Sequence, residues 1–110
     1  MDPGAQPGLT QALGLLWTRF LPQIEERVGI LEAAAAALAE ARLSTEEQET
    51  AAAAAHKLAG VLGTFGLAEG TELARELETA YASPDGVAPE HAPRLGLLAA
   101  ELRALVQSRI

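Results

Sequence analysis

Apolar residues recur at spacings of three and four along most of this chain, and nowhere do they alternate with polar ones long enough to make a strand. Over 22–42, Ile24, Val28, Leu31, Ala35 and Leu38 share one helical face, opposite Glu25, Glu32 and Glu40. Such a pattern confines the chain to helices packed against helices. Pro22 suits the first turn of that helix, where its missing N–H costs nothing. Its position therefore predicts a break or kink after a shorter helix over about 9–20, which carries Leu13, Leu16, Trp17 and Phe20.

Further helices follow from local signals. Ser44-Thr-Glu-Glu47 is a capping box, in which the serine side chain caps the backbone and the Glu47 carboxylate reaches back. A helix starting there is expected to run through His56 to about Phe65, with Gly66 supplying a left-handed stop. The next, over about 67–81, sets Leu67, Ala74, Leu77 and Tyr81 along one stripe, and Ser83-Pro-Asp-Gly86 reads as a turn. The last begins near Pro89-Glu90 and shows Leu95, Leu98, Leu102 and Leu105. Long amphipathic helices with short connections predict an all-α, up-down four-helix bundle with a short additional N-terminal helix. The 110 residues suffice for one such domain. Its expected span is 9–110, after a disordered lead-in or linker over 1–8, where Pro and Gly are dense.

A formal net charge of −7 argues against nucleic acid or an anionic membrane as the main partner and fits a surface that docks on another protein. With no cysteine, disulfides, thiolate catalysis and cysteine-based zinc sites are excluded. No apolar run reaches the roughly 18–20 residues that span a bilayer. The N-terminus lacks the basic start and apolar block of a secretory signal. The expectation is a soluble, cytoplasmic protein, and a monomer, since an acidic surface disfavours tight self-association.

Within AAAAAHKLAGVLGTFG (51–66), His56 stands among small residues and ahead of Gly60 and Gly63. A helix turns about 100° per residue, so positions sort by face. Leu58, Leu62 and Phe65 fall opposite His56, beside Ala51 and Ala54, and that stripe must be the buried one. Ala52, Ala53, Ala59, Gly60 and Gly63 lie on the His56 side with Glu49. Each glycine costs a helix interior roughly 1 kcal/mol relative to alanine. The compensating benefit is room for a second protein to approach the imidazole. His91, with nothing near it in sequence, reads as an ordinary surface histidine.

A metal site would want another ligand three or four residues from His56, and those positions hold alanine or glycine. A nucleophile–base pair would want a nearby Ser, Cys or Asp, and Thr64 is a poor substitute. What remains is the histidine as nucleophile, forming a covalent adduct that a docked partner removes, and phosphoryl transfer suits this. A bland surface histidine in a purely structural bundle is the competing reading.

AHKLAGVLGTFGLAEGTELARELE (55–78) resembles the signature of histidine phosphotransfer (HPt) domains of two-component signalling, through His56, Gly60, Gly63, Phe65, Leu77 and Glu78. GTFG (63–66) is similar to the phosphotransfer segment of chemotaxis histidine kinases. The resemblance implies that His56 accepts a phosphoryl group, normally on Nε2, from a receiver aspartate or a kinase. It also implies that Glu78 accepts a hydrogen bond from Nδ1–H, which would fix the tautomer and strengthen the reacting nitrogen. Glu78 as a solvated helix acid, paired with Arg75, is the alternative. Family members often carry lysine three residues after the histidine; here that position is Ala59, and Lys57 is the side chain long enough to swing toward the phosphate.

The implied partners are a response-regulator receiver domain and a sensor or hybrid histidine kinase. Ala52, Ala53, Ala59, Gly60, Gly63 and Thr64 form the expected docking face. No cofactor is expected on this chain, and Mg²⁺ would belong to the receiver's acidic site. The chain would then be a phosphocarrier without turnover of its own. Two alternatives stand beside it: an adaptor that binds a receiver without accepting phosphate, and the phosphoacceptor domain of a larger chemotaxis-type or hybrid kinase.

Overall fold

The computed structural model describes residues 7–109. Four helices follow in chain order: α1 (Pro7–Ala39), α2 (Thr45–Thr64), α3 (Ala68–Tyr81) and α4 (Ala92–Arg109), the last entered through a 3₁₀ turn at Pro89–His91. No strand occurs among the described residues. α1 packs on α2 and α4, and α3 packs on the same two, so the helices close a ring around one core. Short connections make successive helices antiparallel. Ile24, Leu31, Leu58, Leu62, Leu77 and Leu102 are sealed inside it. The expected all-α four-helix bundle is therefore the fold found.

The capping box opens α2 as its sequence predicts. The Glu47 backbone N–H donates to Ser44 Oγ at 3.0 Å, and the Ser44 N–H donates to Glu47 Oε1 at 2.9 Å. That backbone N–H holds the Glu47 carboxyl below the usual carboxylate range. At the other end Gly66 takes φ +77°. The Leu67 N–H then reaches Leu62 O at 2.9 Å and the Gly66 N–H reaches Gly63 O at 3.0 Å, a paired closure that only a left-handed residue permits. Rim ion pairs tie α4 to both of its neighbours in the bundle. Arg94 grips Glu76 with two nitrogens at 2.9 and 3.0 Å, joining α4 to α3. Arg103 grips Glu32 at 3.1 and 2.7 Å, joining α4 to α1.

Two expectations about α1 are corrected. The short additional N-terminal helix over 9–20 does not exist as a separate element; it is the first part of α1, which runs unbroken through Pro22. A proline inside a helix removes one backbone hydrogen bond and crowds the carbonyl four residues earlier, at a cost of about 3 kcal/mol. Here Pro22 faces solvent, where water can meet that carbonyl, while Trp17 before it and Ile24 after it are both anchored in the core. Packing on both sides outweighs the local penalty. Of the apolar residues expected on the shorter helix, only Trp17 is buried; Leu16 and Phe20 are exposed and Leu13 is half-buried.

The far end of α1 comes at Ala39 rather than near 42, because Ala41 adopts φ +55°. The Arg42 and Ala41 N–H groups then turn back to Ala37 O and Leu38 O, each at 2.9 Å. Residues 1–6 of the expected lead-in over 1–8 lie outside the described residues, and Pro7 and Gly8 open α1.

Candidate functional site

The α2–α3 pair is joined by a tight turn, and it is the most closely packed of the four contacts. The turn sets the coarse register of α3 on α2, and that register decides which side chains meet on the outer surface. His56 stands midway along α2 with its side chain 74% exposed. Its Nδ1 lies 2.8 Å from Oε2 of Glu78 on α3. Glu78 is the more sheltered partner, its side chain one-third exposed, so the carboxylate is held against the bundle while the ring extends from it.

A carboxylate can only accept a hydrogen bond, so this contact calls for a proton on Nδ1, and in the neutral ring the lone pair then stands on Nε2. Nε2 makes no hydrogen bond among the described residues. The ring is thus oriented from behind by Glu78, and its Nε2 edge is left without a protein partner among the described residues. Glu78 thus pairs with His56 rather than with Arg75 three residues before it.

Around His56 the surface is flat. Ala53, Gly60, Gly63 and Thr64 are exposed and Ala52 is half-buried. A Cβ built on Gly60 would meet nothing within 4 Å, so the fold itself does not require glycine there. Gly63 differs: a Cβ at that position would come within 3.2 Å of Thr71 Oγ1 on α3. One residue expected on the docking face is corrected. Ala59 is only 8% exposed, because α3 lies against that flank of α2 and covers it. Its carbonyl accepts a hydrogen bond from Thr71 Oγ1 at 3.0 Å.

Lys57 is exposed but turned about 100° round the helix from His56, where it lines a groove between α1 and α2 with Gln23, Glu26 and Arg27. Phe65 closes the bundle end rather than the core proper, edge-on to Trp17 at 5.2 Å and to Phe20 at 6.4 Å between ring centres. Arg109 lies over the Trp17 ring, 5.2 Å from its centroid. Among the described residues no three His, Asp or Glu side chains are grouped to hold a metal ion.

Two side chains near the site escaped the sequence reading. Thr71 sits seven residues before Glu78, hence on the same face of α3, and that spacing is the signal which could have found it. Gln48, eight residues before His56, donates from Nε2 to the carbonyls of Tyr81 and Ser83 at 2.8 and 3.1 Å. Nothing local in the sequence marks it for that task.

A family model described as Hpt domain matches residues 15–108. Protein RcaC of Microchaete diplosiphon is 38% identical over 87 residues, a stretch that covers 79% of this chain and 13% of that protein. The chain thus corresponds to a small part of that relative's length. No solved structure gives a significant match. The match runs from within α1 almost to the end of α4 and takes in both His56 and Glu78, and on it the chain belongs to the Hpt domain family.

Proposed function

We propose that His56 is the phosphoacceptor of a phosphorelay and exchanges a phosphoryl group with an aspartate of a response-regulator receiver domain. Membership in the Hpt family supports a histidine phosphotransfer role. The observation that carries the specific assignment is the 2.8 Å contact from Nδ1 of an exposed ring to Glu78. In the forward step the Nε2 lone pair attacks phosphorus in the donor's aspartyl phosphate. The Nε2–P bond forms, the P–O bond to the carboxylate breaks, and the donor aspartate leaves as its carboxylate. The ring keeps its Nδ1 proton and becomes cationic, and Glu78 lies against that charge. Transfer to a second receiver reverses the same bonds.

The chain acts as a carrier: the Mg²⁺ and the acidic pocket belong to the receiver, and a kinase stands upstream. Gly60, with Ala53 and Gly63, forms the surface on which the receiver seats, bringing two backbones close enough for in-line transfer. The deciding experiment is phosphorylation by a phosphorylated receiver with Mg²⁺, or by a phosphoramidate donor, followed by site mapping. An acid-labile adduct on His56 that disappears in His56→Gln is the expected result. No adduct on a folded wild-type protein from several donors overturns the proposal and leaves an adaptor that binds without accepting phosphate.

A further inference from the structure

The His56–Glu78 contact depends on two helices keeping one register. An α-helix rises about 1.5 Å per residue, and a hydrogen bond of this kind is lost beyond about 3.5 Å. A slide of α3 along α2 by well under one residue is therefore enough to part Nδ1 from the carboxylate. The interdigitated core of the hairpin holds this register against large displacements, but a shift of a fraction of a residue's rise is felt first by bonds that depend steeply on distance and angle. Directional bonds resist it strongly.

Two clamps built from such bonds flank the site. On one side Thr71 of α3 donates through Oγ1 to the carbonyl of Ala59 on α2, at 3.0 Å. On the other, Gln48 of α2 donates through its amide to the carbonyls of Tyr81 and Ser83 at the end of α3, at 2.8 and 3.1 Å. His56 lies between Gln48 and Ala59 on its helix, and Glu78 lies between Thr71 and Tyr81 on the other. Each clamp joins a side chain of one helix to the backbone of the other, so a slide of either helix stretches or bends both. Gly63 belongs to the same device. Its missing Cβ would stand 3.2 Å from Thr71 Oγ1, closer than ordinary contact, so glycine there keeps the hydroxyl seated on Ala59.

From this geometry we propose that Thr71 is a positioning residue for His56, acting through the α2–α3 register, with Gly63 as the space that admits it and Gln48 as the opposite anchor. Thr71 touches neither the imidazole nor the phosphoryl group. Its effect reaches the reaction as the share of His56 held in the Nδ1–H tautomer. The inference rests on the assignment of His56 as phosphoacceptor for its functional meaning, but its primary readout does not.

The test is ¹⁵N NMR of the His56 ring in the full chain, comparing wild type with Thr71→Val and Thr71→Ser, alongside the rate of phosphorylation from a small phosphoramidate donor. Valine keeps the shape and removes the hydroxyl; serine keeps the hydroxyl. The expected result is an Nδ1–H population reduced about fivefold relative to the other tautomer in Thr71→Val. The phosphorylation rate should fall in parallel, and both should return in Thr71→Ser. Gly63→Ala should reproduce the valine phenotype and add little to it in the double variant, because both act at one contact.

Two results overturn the inference: a folded Thr71→Val protein with wild-type tautomer populations, or an altered tautomer that serine does not restore. Failure of the phosphoacceptor assignment looks different, since wild-type protein would then take no phosphate on His56 whatever Thr71 does to the ring.

Discussion

At the scale of single residues, the role proposed for His56 sets two demands that usually conflict. A nucleophile for a protein-bound phosphate must be exposed, yet an exposed imidazole samples both tautomers and many rotamers. The half-sheltered Glu78 resolves this by gripping Nδ1 at 2.8 Å while three-quarters of the His56 side chain stays in solvent. Glu78→Gln keeps an acceptor but loses the negative charge, and Glu78→Ala loses both. Initial phosphorylation rates are expected in the order wild type, Gln, Ala, with the alanine variant about fivefold to tenfold slower, the size of one charge-assisted bond at a partly exposed site. Gly60→Ala makes a separate point. A Cβ there meets nothing within 4 Å, so the variant should fold as well as wild type and gain up to about 1 kcal/mol from helix propensity. Its transfer from a phosphorylated receiver should nevertheless slow, while phosphorylation by a small donor should not. Equal rates with both donors would show that close backbone approach at Gly60 is not needed. His56 and Gly60 were legible from helical arithmetic, because exposure depends only on which face carries the large apolar residues. The burial of Ala59 was not, since the side of α2 on which α3 settles is decided by the turn and the core.

At the scale of elements, boundaries were legible where side chains enforce them. Ser44, Glu47 and Gly66 each supply a hydrogen bond or a left-handed φ that helix ends require, and α2 begins and ends where they stand. Errors came where packing or an unexpected backbone overrules the local rule. Pro22 predicts a break that the buried Trp17 and Ile24 prevent. Ala41 predicts nothing, since alanine favours continued helix, yet it sits at φ +55° and ends α1. A left-handed alanine carries a steric cost of about 1 kcal/mol that glycine does not. Ala41→Gly is therefore expected to raise stability by about 0.5–1 kcal/mol, seen as a melting temperature several degrees higher. The opposite change at the next helix, Ser44→Ala, removes a cap and should lower stability by about 1 kcal/mol. A neutral or destabilising Ala41→Gly would mean that the strain is relieved elsewhere in the α1–α2 connection.

At the scale of the whole molecule, the described residues extend 53 Å along the bundle and only 20 Å across. Such a narrow bundle has few layers of core, so groups at its rim and centre set the pH range of the fold. On the acid side, the fork of hydrogen bonds from Arg103 holds the Glu32 carboxyl below its usual range. The stability this contributes is present above the ordinary carboxylate range and is lost as pH falls through the lowered value of the folded state. On the alkaline side, Tyr81 is 1% exposed and burial pushes its phenol up to about 12. Its hydroxyl has no hydrogen-bond partner among the described residues. Below about pH 10 the phenol is protonated in both states and the fold is unaffected. Between about 10 and 12 the unfolded chain releases that proton and the folded one retains it, so stability should fall by about 2 kcal/mol across the interval. Tyr81→Phe removes the titrating group and leaves no partner unsatisfied. It should match or slightly exceed wild type at neutral pH and show a flatter alkaline limb. The single tryptophan, Trp17, is buried beneath Arg109 and reports the unfolding by fluorescence at each pH. If the two proteins lose stability in parallel above pH 10, the alkaline limb belongs to the growing repulsion of an already acidic surface, and Tyr81 ionises in the folded protein as readily as in the unfolded chain.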